Sequence, residues 1–312
     1  MSYKTIFGPI QSRRFGLSLG IDLSPDEKSC NFDCLYCELA VAQVTDVIKN
    51  PPKVELILTE VKEALIEFPD VDVITLTANG EPTLYPYLSD LVDGLNAIKK
   101  DKKLLILSNG STIYHDNVQQ ALLKIDIVKL SLDCASARCF QKIDRPHSNI
   151  SVEKIIEGMK IFRMRYHDSL VVEILIIKGV NDTMEEMQKL NAVLNDIQPD
   201  RIDIGSIDRP PAYSVEGVSE ERLNELTAVF ENLPVHLIYK KEPNQRVDFS
   251  TDEIIKTLKR RPQSEADVAY LFSTQAQARL KLLMEEKKVI MIDIAGVKFF
   301  ASPDVKQKRK KN

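Results

Sequence analysis

Apolar residues along the first 240 positions follow two alternating spacings. Short, β-branched runs predict buried strands at 14–23, 71–78, 103–109, 126–133, 170–178 and 201–207. Apolar residues at three- and four-residue spacing predict a helix after each strand, at 53–68, 88–100, 116–124, 151–166, 183–196 and 219–233. Six strand–helix units predict an α/β fold with a parallel sheet. A full barrel needs two more units, so we expect an incomplete (β/α)6 TIM-like barrel, with a candidate seventh strand within 234–244.

The pattern changes after residue 245. Three short helical patterns, at 251–260, 264–272 and 274–288, precede two strand-like runs that turn at Ala295 and Gly296. Three helices and a hairpin follow each other in this order in a winged helix, a variant of the helix-turn-helix motif. We therefore predict a core at 1–245, a small winged-helix-like domain at 246–302 and a basic disordered tail at 303–312.

Charge is unevenly distributed along the 312 residues, whose net charge is −4. Residues 250–312 carry 14 basic and 8 acidic side chains, so the rest of the chain has an excess of acid. This asymmetry indicates a separate partner for the C-terminal region, and both a nucleic acid and a protein remain open. No apolar run approaches the ~20 residues of a membrane span, and the N-terminus lacks a signal-peptide pattern. We expect a cytoplasmic protein with no membrane partner.

Three of the five cysteines, Cys30, Cys34 and Cys37, lie within eight residues. Thiols stay reduced in the cytoplasm, and an odd count also argues against a disulfide framework. Thiolates bind zinc or iron–sulfur clusters, but a structural zinc site takes four ligands and no fourth ligand is nearby. Three cysteines on a 4Fe–4S cluster leave one iron open. Cys134 and Cys139 are best interpreted as buried free thiols, with a substrate-facing or redox role left open.

Polar and Gly/Pro-rich segments follow each predicted strand in turn. They are the cysteine triplet, residues 79–84, residues 108–112, Ser131 with Asp133, residues 178–182 and residues 205–211. The carboxyl ends of parallel strands meet at one edge, where barrel enzymes place their chemistry, so we expect a single site there. Arg13 and Arg14 either bind an anion or form a salt bridge at the sheet edge. The loops at 144–147 and 208–210 either read substrate or are solvated.

The Cys-x3-Cys-x2-Cys spacing, with Tyr36 before its last cysteine, resembles the signature of the radical S-adenosylmethionine superfamily. In that family the three cysteines hold a 4Fe–4S cluster, and S-adenosylmethionine chelates the open iron. The reduced cluster cleaves the sulfonium and releases a 5′-deoxyadenosyl radical. Residues 79–82 resemble the family's Gly-Gly-Glu-Pro motif, with Asn79 in place of the first glycine. Asparagine is tolerant of unusual backbone angles, so we interpret the exchange as a variant.

The resemblance implies a metal site at Cys30, Cys34 and Cys37. It implies that the backbone of the motif holds the amino group of the cofactor, with Glu81 bracing the loop. The implied cofactor-binding residues are Tyr36, Asn79, Gly80, Glu81, Pro82, Ser108, Asn109, Ser131, Asp133 and Asn181. Among these, Asn181 would lie near the adenine or ribose. The implied partners are S-adenosylmethionine, a reductant such as flavodoxin or ferredoxin, and an unidentified substrate.

Residues 7–25 resemble a leader found in a branch of that superfamily near the tRNA wyosine-synthesis and molybdenum-cofactor radical enzymes. This kinship and the basic C-terminal region make an RNA, including tRNA, a candidate substrate, although kinship of fold does not fix a substrate. The competing hypothesis is a non-enzymatic regulator that binds a metal or cluster and uses a winged helix on nucleic acid. That hypothesis gives the motifs at the sheet edge no role.

Overall fold

A computed structural model describes residues 3–12, 14–39, 41–207, 211–238, 246–260, 263–294 and 297–303. The chain divides into two compact units, residues 1–207 with 215–238 and residues 208–214 with 239–312. Arg13, the loop at 208–210, the turn at Ala295 and Gly296, and tail residues 304–312 lie outside the described residues. Residues 239–245 do so as well, so the division between 245 and 246 stays a prediction.

The larger unit contains an eight-stranded sheet whose spatial order follows the chain, from β1 to β8. The strands are β1 (Ile6–Ser12), β2 (Gly16–Asp22), β3 (Val73–Thr77), β4 (Lys103–Ser108), β5 (Ile127–Ser131), β6 (Ser169–Ile176), β7 (Arg201–Ser206) and β8 (Val235–Ile238). Strands β2 to β8 are parallel, whereas β1 is antiparallel to β2. The six predicted strands and the candidate seventh are confirmed. Strand β1 was not predicted, and its pairing with β2 shifts register between Phe7 and Ile10.

Helices separate the parallel strands, as predicted. They are α1 (Val54–Glu67), α2 (Leu88–Ile98), α3 (Asp116–Leu122), α4 (Ala137–Ile143), α5 (Val152–Arg165), α6 (Met184–Ile197) and α7 (Glu220–Thr227). Ser151 and Ser219 begin α5 and α7 by accepting a backbone hydrogen bond, as good N-cap residues do. Only α4 was not predicted, and α7 ends earlier than expected because a 3-10 turn follows it at Ala228–Phe230.

The two faces of the sheet differ in chemistry. One face is a fully buried apolar layer that includes Ile74, Leu76, Leu104, Ile106, Val128, Leu130, Val172 and Ile174. The opposite face begins with an apolar cluster formed by Val73, Leu105, Ile127 and Val171, against which Phe15 packs. The next positions on that face are Thr75, Leu107, Lys129 and Glu173, and all of them except Leu107 are polar or charged. The sheet therefore buries both faces but keeps a polar interior near its middle.

Strand register aligns the carboxyl ends of the parallel strands at one edge. Asp22 pairs with Thr77 at the ends of β2 and β3, and Ile176 pairs with Ser206 at the ends of β6 and β7. The loops that follow these strands consequently start at similar heights along the sheet. This alignment brings the predicted polar segments to a common edge.

The smaller unit has its own secondary structure and core. Its elements are α8 (Thr251–Arg260), β9 (Gln263–Ser264), α9 (Glu265–Leu271), α10 (Thr274–Glu285), β10 (Ile290–Ile294) and β11 (Val297–Ala301). The strands form an antiparallel sheet in the order β10-β11-β9. Its buried core consists of Ile254, Leu258, Val268, Phe272, Ala276, Leu280, Leu283 and Val289. The three helices and the two strands of the hairpin are confirmed, and β9 was not predicted. Across the described part of the chain, no helix is both long and apolar enough to cross a membrane.

Candidate active site

The three cysteines of the triplet lie in the loop after β2, and all three are free and partly exposed. We call residues 29–37 the cysteine loop. Ser29 forms a parallel bridge with Gly80. Ser29 N donates to Asn79 O at 2.9 Å, and Glu81 N donates to Ser29 O at 2.9 Å. The cysteine loop is therefore joined at its start to the motif that follows β3.

Gly80 is the point of closest approach between these two segments. Its φ is +139°, and an added Cβ would lie 1.8 Å from the carbonyl oxygen of Ser29. Only glycine fits both the angle and the space. Asn79, by contrast, does not have a positive φ. The tolerance of asparagine for unusual backbone angles is therefore not used at residue 79, and the interpretation of the exchange as a variant stays a prediction.

The backbone of Asn79 is fixed by three hydrogen bonds. Its N–H donates to Asp22 Oδ1 at 2.8 Å, and its carbonyl oxygen accepts from Ser29 N and from Ser24 Oγ. Pro82 then begins a 3-10 turn at Pro82–Leu84. The motif is thus a rigid connection between β3 and the cysteine loop.

Glu81 is buried and braces this connection. Its Oε1 accepts from Thr83 N, Thr83 Oγ1 and Ser108 Oγ, and its Oε2 accepts from Asn109 N at 2.7 Å. Burial raises the pKa of Glu81 above its ordinary value, and these hydrogen bonds oppose the rise. The interpretation of Glu81 as a brace is confirmed. The Ser108 hydroxyl is directed at Glu81, which gives it a supporting position.

Asn109, Ser131 and Asp133 line one small cavity beside the cysteine loop. The Nδ2 atom of Asn109 lies 3.8 Å from Cys30 Sγ. The Tyr36 hydroxyl donates to Asp133 Oδ2 at 2.6 Å. Four of the predicted cofactor-binding residues are therefore brought together around the cysteines.

Asn181 occupies a different place. Its side chain is fully buried, and its Nδ2 donates to the carbonyl oxygens of Asp133 and Leu175, both at 2.9 Å. Its Oδ1 accepts from Ile177 N at 2.7 Å. The amide thus joins the ends of β5 and β6. The side chain of Asn181 therefore has a positioning role within the fold, and its location near the adenine or ribose stays a prediction.

The segment after α4 holds the other side of the cysteine loop. Asp33 N donates to Asp144 O at 3.1 Å, and Leu35 N donates to Ile143 O at 2.9 Å. Cys34 Sγ lies 3.5 Å from Asp144 Oδ1. From the sequence, the loop at 144–147 could either contact the substrate or be solvated. The structure shows that Asp144 is buried and supports the cysteine loop. The apolar periodicity did not predict the burial of Asp144, because the preceding helix α4 has only seven residues and shows no helical period.

Burial favours the protonated thiol at Cys30 and at Cys34. Burial and the charge of Glu81 raise the pKa of Cys30 to about 12. Burial and the charge of Asp144 raise the pKa of Cys34 well above its ordinary value. Lys28 Nζ lies 3.4 Å from Cys37 Sγ and contributes positive charge. A thiolate here needs bound metal to compensate its charge, which fits an iron–sulfur site.

The spacing of the sulfur atoms is wider than the ligands of a single ion require. Sulfur ligands of one zinc lie roughly 4 Å apart, because each Zn–S bond is about 2.3 Å. The three Sγ atoms of the triplet do not all lie within 4.8 Å of one another. Three separated thiols with no fourth cysteine nearby fit a multinuclear cluster that has one open position.

Cys134 and Cys139 form a disulfide, with Cα atoms 5.7 Å apart. The prediction that these buried cysteines are free thiols is therefore wrong, although their burial is confirmed. The physical reason is α4, which was not predicted. It follows β5 after a tight turn and brings the two Cα atoms within the range that disulfides span.

Charged residues on the polar face of the sheet form one network. Arg14 Nη1 lies 2.9 Å from Glu173 Oε1 and 2.5 Å from Asp203 Oδ2. Lys129 Nζ reaches the same two carboxylates at 2.6 and 3.1 Å. The salt-bridge interpretation of Arg14 is confirmed. The other three residues were not predicted, although Lys129 and Glu173 are each the single charge of an apolar strand, which is a usable signal.

Comparison with known families agrees with the fold and with this site. The Radical SAM superfamily model matches residues 28–190, which contain the cysteine loop, the motif at 79–82 and strands β3 to β6. The chain belongs to the radical SAM superfamily, whose members use iron–sulfur clusters and S-adenosylmethionine, and it is a radical SAM enzyme. The hypothesis of a non-enzymatic regulator is therefore not favoured.

Individual relatives place the chain within that superfamily. The UPF0026 protein of Helicobacter pylori is 38% identical over 300 residues, covering 95% of this chain and 97% of its own length. The GTP 3′,8-cyclase of a Nostoc species is 28% identical over 156 residues, covering 49% of this chain and 46% of its own. The crystal structure of Streptococcus suis SuiB bound to S-adenosylmethionine superposes with a TM-score of 0.55 at 18% identity, covering 72% of this chain and 51% of that chain. This last similarity shows a shared fold.

Proposed function

We propose that Cys30, Cys34 and Cys37 bind a 4Fe–4S cluster with one open iron, at which S-adenosylmethionine binds. Such a cluster supplies the electron for reductive cleavage of S-adenosylmethionine, which initiates hydrogen abstraction from a substrate. A reductant such as flavodoxin or ferredoxin would provide that electron. The observation that carries the proposal is the triplet of free thiols joined to the Gly80–Glu81 motif through the Ser29–Gly80 bridge.

We assign the candidate cofactor-binding residues other than Tyr36 and Asp133 to two roles. The backbone of residues 79–82 and the side chains of Asn109 and Ser131 would contact S-adenosylmethionine. Their support is the position of Asn109, whose Nδ2 lies 3.8 Å from Cys30 Sγ, and of Ser131 at the carboxyl end of β5. Glu81, Ser108 and Asn181 would position those groups, because their side chains are hydrogen-bonded within the fold.

Iron and sulfide content tests the ligand assignment. After anaerobic reconstitution, the wild type should hold about four iron and four sulfide per chain. Cys34→Ala should lose most of both, whereas Leu39→Ala, a change at an exposed neighbour, should retain them. Equal cluster content in the wild type and Cys34→Ala would refute the assignment, and so would one zinc per chain without sulfide.

An RNA is the substrate class that we propose. Residues 250–312 carry 14 basic and 8 acidic side chains, and Lys281 and Lys298 are exposed. The smaller unit follows the element order of a winged helix, with α10 as the second helix of the helix-turn-helix. The relative named as a GTP 3′,8-cyclase supports a substrate that contains a nucleotide.

Salt-dependent binding tests the RNA proposal. Bulk tRNA should bind the full chain with an affinity that falls steeply as salt rises. The variant with Lys281→Glu and Lys298→Glu should bind more weakly, with a shallower salt slope. Lys62→Glu, an exposed lysine of α1 in the larger unit, is the matched control and should bind nearly like the wild type. Binding without salt dependence, or equal loss in the control, would count against an RNA surface on the smaller unit.

A further inference from the structure

The disulfide of Cys134 and Cys139 closes the turn between β5 and α4. Cys134 follows β5 by three residues, and Cys139 lies in the first turn of α4. Cys134 is fully buried and Cys139 is 8% exposed. The superfamily chemistry described above uses neither residue, so the pair needs its own explanation.

Both sides of this closed turn contact the cysteine loop. Before the turn, Asp133 accepts the hydrogen bond of Tyr36. After it, the Phe140 ring meets the Phe32 ring edge to face, with centroids 5.4 Å apart. Further along, Asp144 lies against Cys34. A change in the turn therefore acts on the cysteine loop at three places.

Glu186 is the other support of the turn. Its Oε1 accepts from Ala135 N and Ser136 N, and its Oε2 accepts from Ser136 Oγ at 2.7 Å. These bonds engage both carboxylate oxygens, which argues against Glu186 as a metal ligand beside the two sulfur atoms. If the disulfide is reduced, the turn keeps these hydrogen bonds but loses its covalent closure.

We propose that Cys134 and Cys139 are a redox-active pair that cycles between dithiol and disulfide, and that its oxidation state controls how firmly the cysteine loop retains iron. The oxidant is a disulfide of the glutathione class. The second half of this proposal rests on the proposed function, whereas the first half does not. The disulfide form closes the turn and fixes the cysteine loop, and the dithiol form loosens both.

The exchange balances as two thiol–disulfide steps. Cys139, the more exposed thiol, loses its proton and attacks oxidised glutathione, so that a mixed disulfide forms and one glutathione leaves as the thiol. The Cys134 thiolate then attacks the Cys139 sulfur and releases the second glutathione. Two electrons pass from the pair to the glutathione, and the two protons from the cysteines go to the departing thiols.

Peptide mapping tests the pair without any cluster. Trypsin cleaves after Lys129, Arg138 and Lys142, so the two cysteines fall in separate peptides, 130–138 and 139–142. The full chain, equilibrated with oxidised glutathione and then alkylated, should give these peptides joined by a disulfide. Reduced glutathione should convert them to separate alkylated peptides, and Cys139→Ser should never give the joined form. Full alkylation of both cysteines in oxidised glutathione would overturn the proposal.

Iron release to a chelator tests the link to the cysteine loop. The reconstituted wild type should release iron at least about threefold faster with the pair reduced than with it oxidised, because the covalent closure is lost. The double variant Cys134→Ser with Cys139→Ser should release iron at one rate in both glutathione mixtures. Equal rates of iron release from the wild type with the pair reduced and with it oxidised would overturn the proposal that the pair controls iron retention. Joined peptides from a chain that binds no iron would support the redox pair while refuting the proposed function.

Discussion

The carbonyl oxygen of Ser29 leaves no room for a side chain at residue 80. Gly80→Ala would place Cβ 1.8 Å from that oxygen, at a φ of +139°. The cysteine loop must then shift, so we expect the free energy of unfolding to fall by about 3 kcal/mol, from strain and lost hydrogen bonds. Urea unfolding measures the loss, and the iron content should fall with it.

Gly179→Ala is the matched control for that substitution. Gly179 also has a positive φ, +71°, but an added Cβ there would meet no atom within 4 Å. Gly179→Ala should lower the free energy of unfolding by about 1 kcal/mol, which reflects backbone strain alone. Equal losses at residues 80 and 179 would show that contact with Ser29 is not what requires glycine in the motif.

Four hydrogen bonds converge on the carboxylate of Glu81. In Glu81→Gln, an NH2 group replaces one carboxylate oxygen and lies opposite a backbone or hydroxyl group that is also a hydrogen-bond donor. We expect a loss of about 2 kcal/mol in the free energy of unfolding, because a buried donor is left unsatisfied. Glu157→Gln, at an exposed position of α5, should change stability by less than about 0.5 kcal/mol. A Glu81→Gln protein as stable as this control would contradict the bracing role.

At the scale of elements, the ion network links the hairpin of β1 and β2 to the middle of the sheet. Burial disfavours the charged forms of Glu173 and Asp203, but Lys129 and Arg14 outweigh it, so both carboxyl pKa values lie below their ordinary values. The stability that this contributes is present above the ordinary carboxyl pKa values. It is lost as the pH falls through the lowered values of the folded protein.

Lys129→Met should therefore destabilise the protein in a pH-dependent way. At pH 7 we expect a loss of about 3 kcal/mol, because the buried carboxylate of Asp203 and the half-buried carboxylate of Glu173 share fewer cations. The difference in the free energy of unfolding between Lys129→Met and the wild type should narrow below about pH 4, where both carboxyls become protonated. Urea unfolding at several pH values measures it. Lys124→Met, which removes an exposed pair with Asp93, should cost less than about 1 kcal/mol. A gap that does not change with pH would contradict the electrostatic origin.

The periodicity of apolar residues was sufficient to predict the long strands and helices and the edge of the sheet at which the site forms. The six strand–helix units have strong apolar patterns, and the cysteine triplet has a specific spacing. Periodicity failed for β1, which is interrupted by a register shift, and for α4, which is too short to show a helical period. The disulfide and the burial of Asp144 depend on α4, so they could not be predicted without it. The inward role of Asn181 is a tertiary contact that no local pattern encodes.

At the scale of the whole molecule, the cysteine loop receives its support from within the larger unit. Its hydrogen-bond partners described above are Lys28 and residues between 79 and 144. We therefore expect the chain that ends at residue 245 to take up as much iron and sulfide as the full chain. Loss of the cluster absorbance in the shortened chain, with its circular dichroism unchanged, would show that the smaller unit is needed to build the site.

The most direct test of the central claim is 5′-deoxyadenosine formation. The anaerobically reconstituted chain would be given dithionite and S-adenosylmethionine, with Cys34→Ala assayed beside it. The account predicts that the wild type forms 5′-deoxyadenosine and that Cys34→Ala does not. Equal formation by both proteins would contradict it, and so would no formation by a wild type that carries its full cluster.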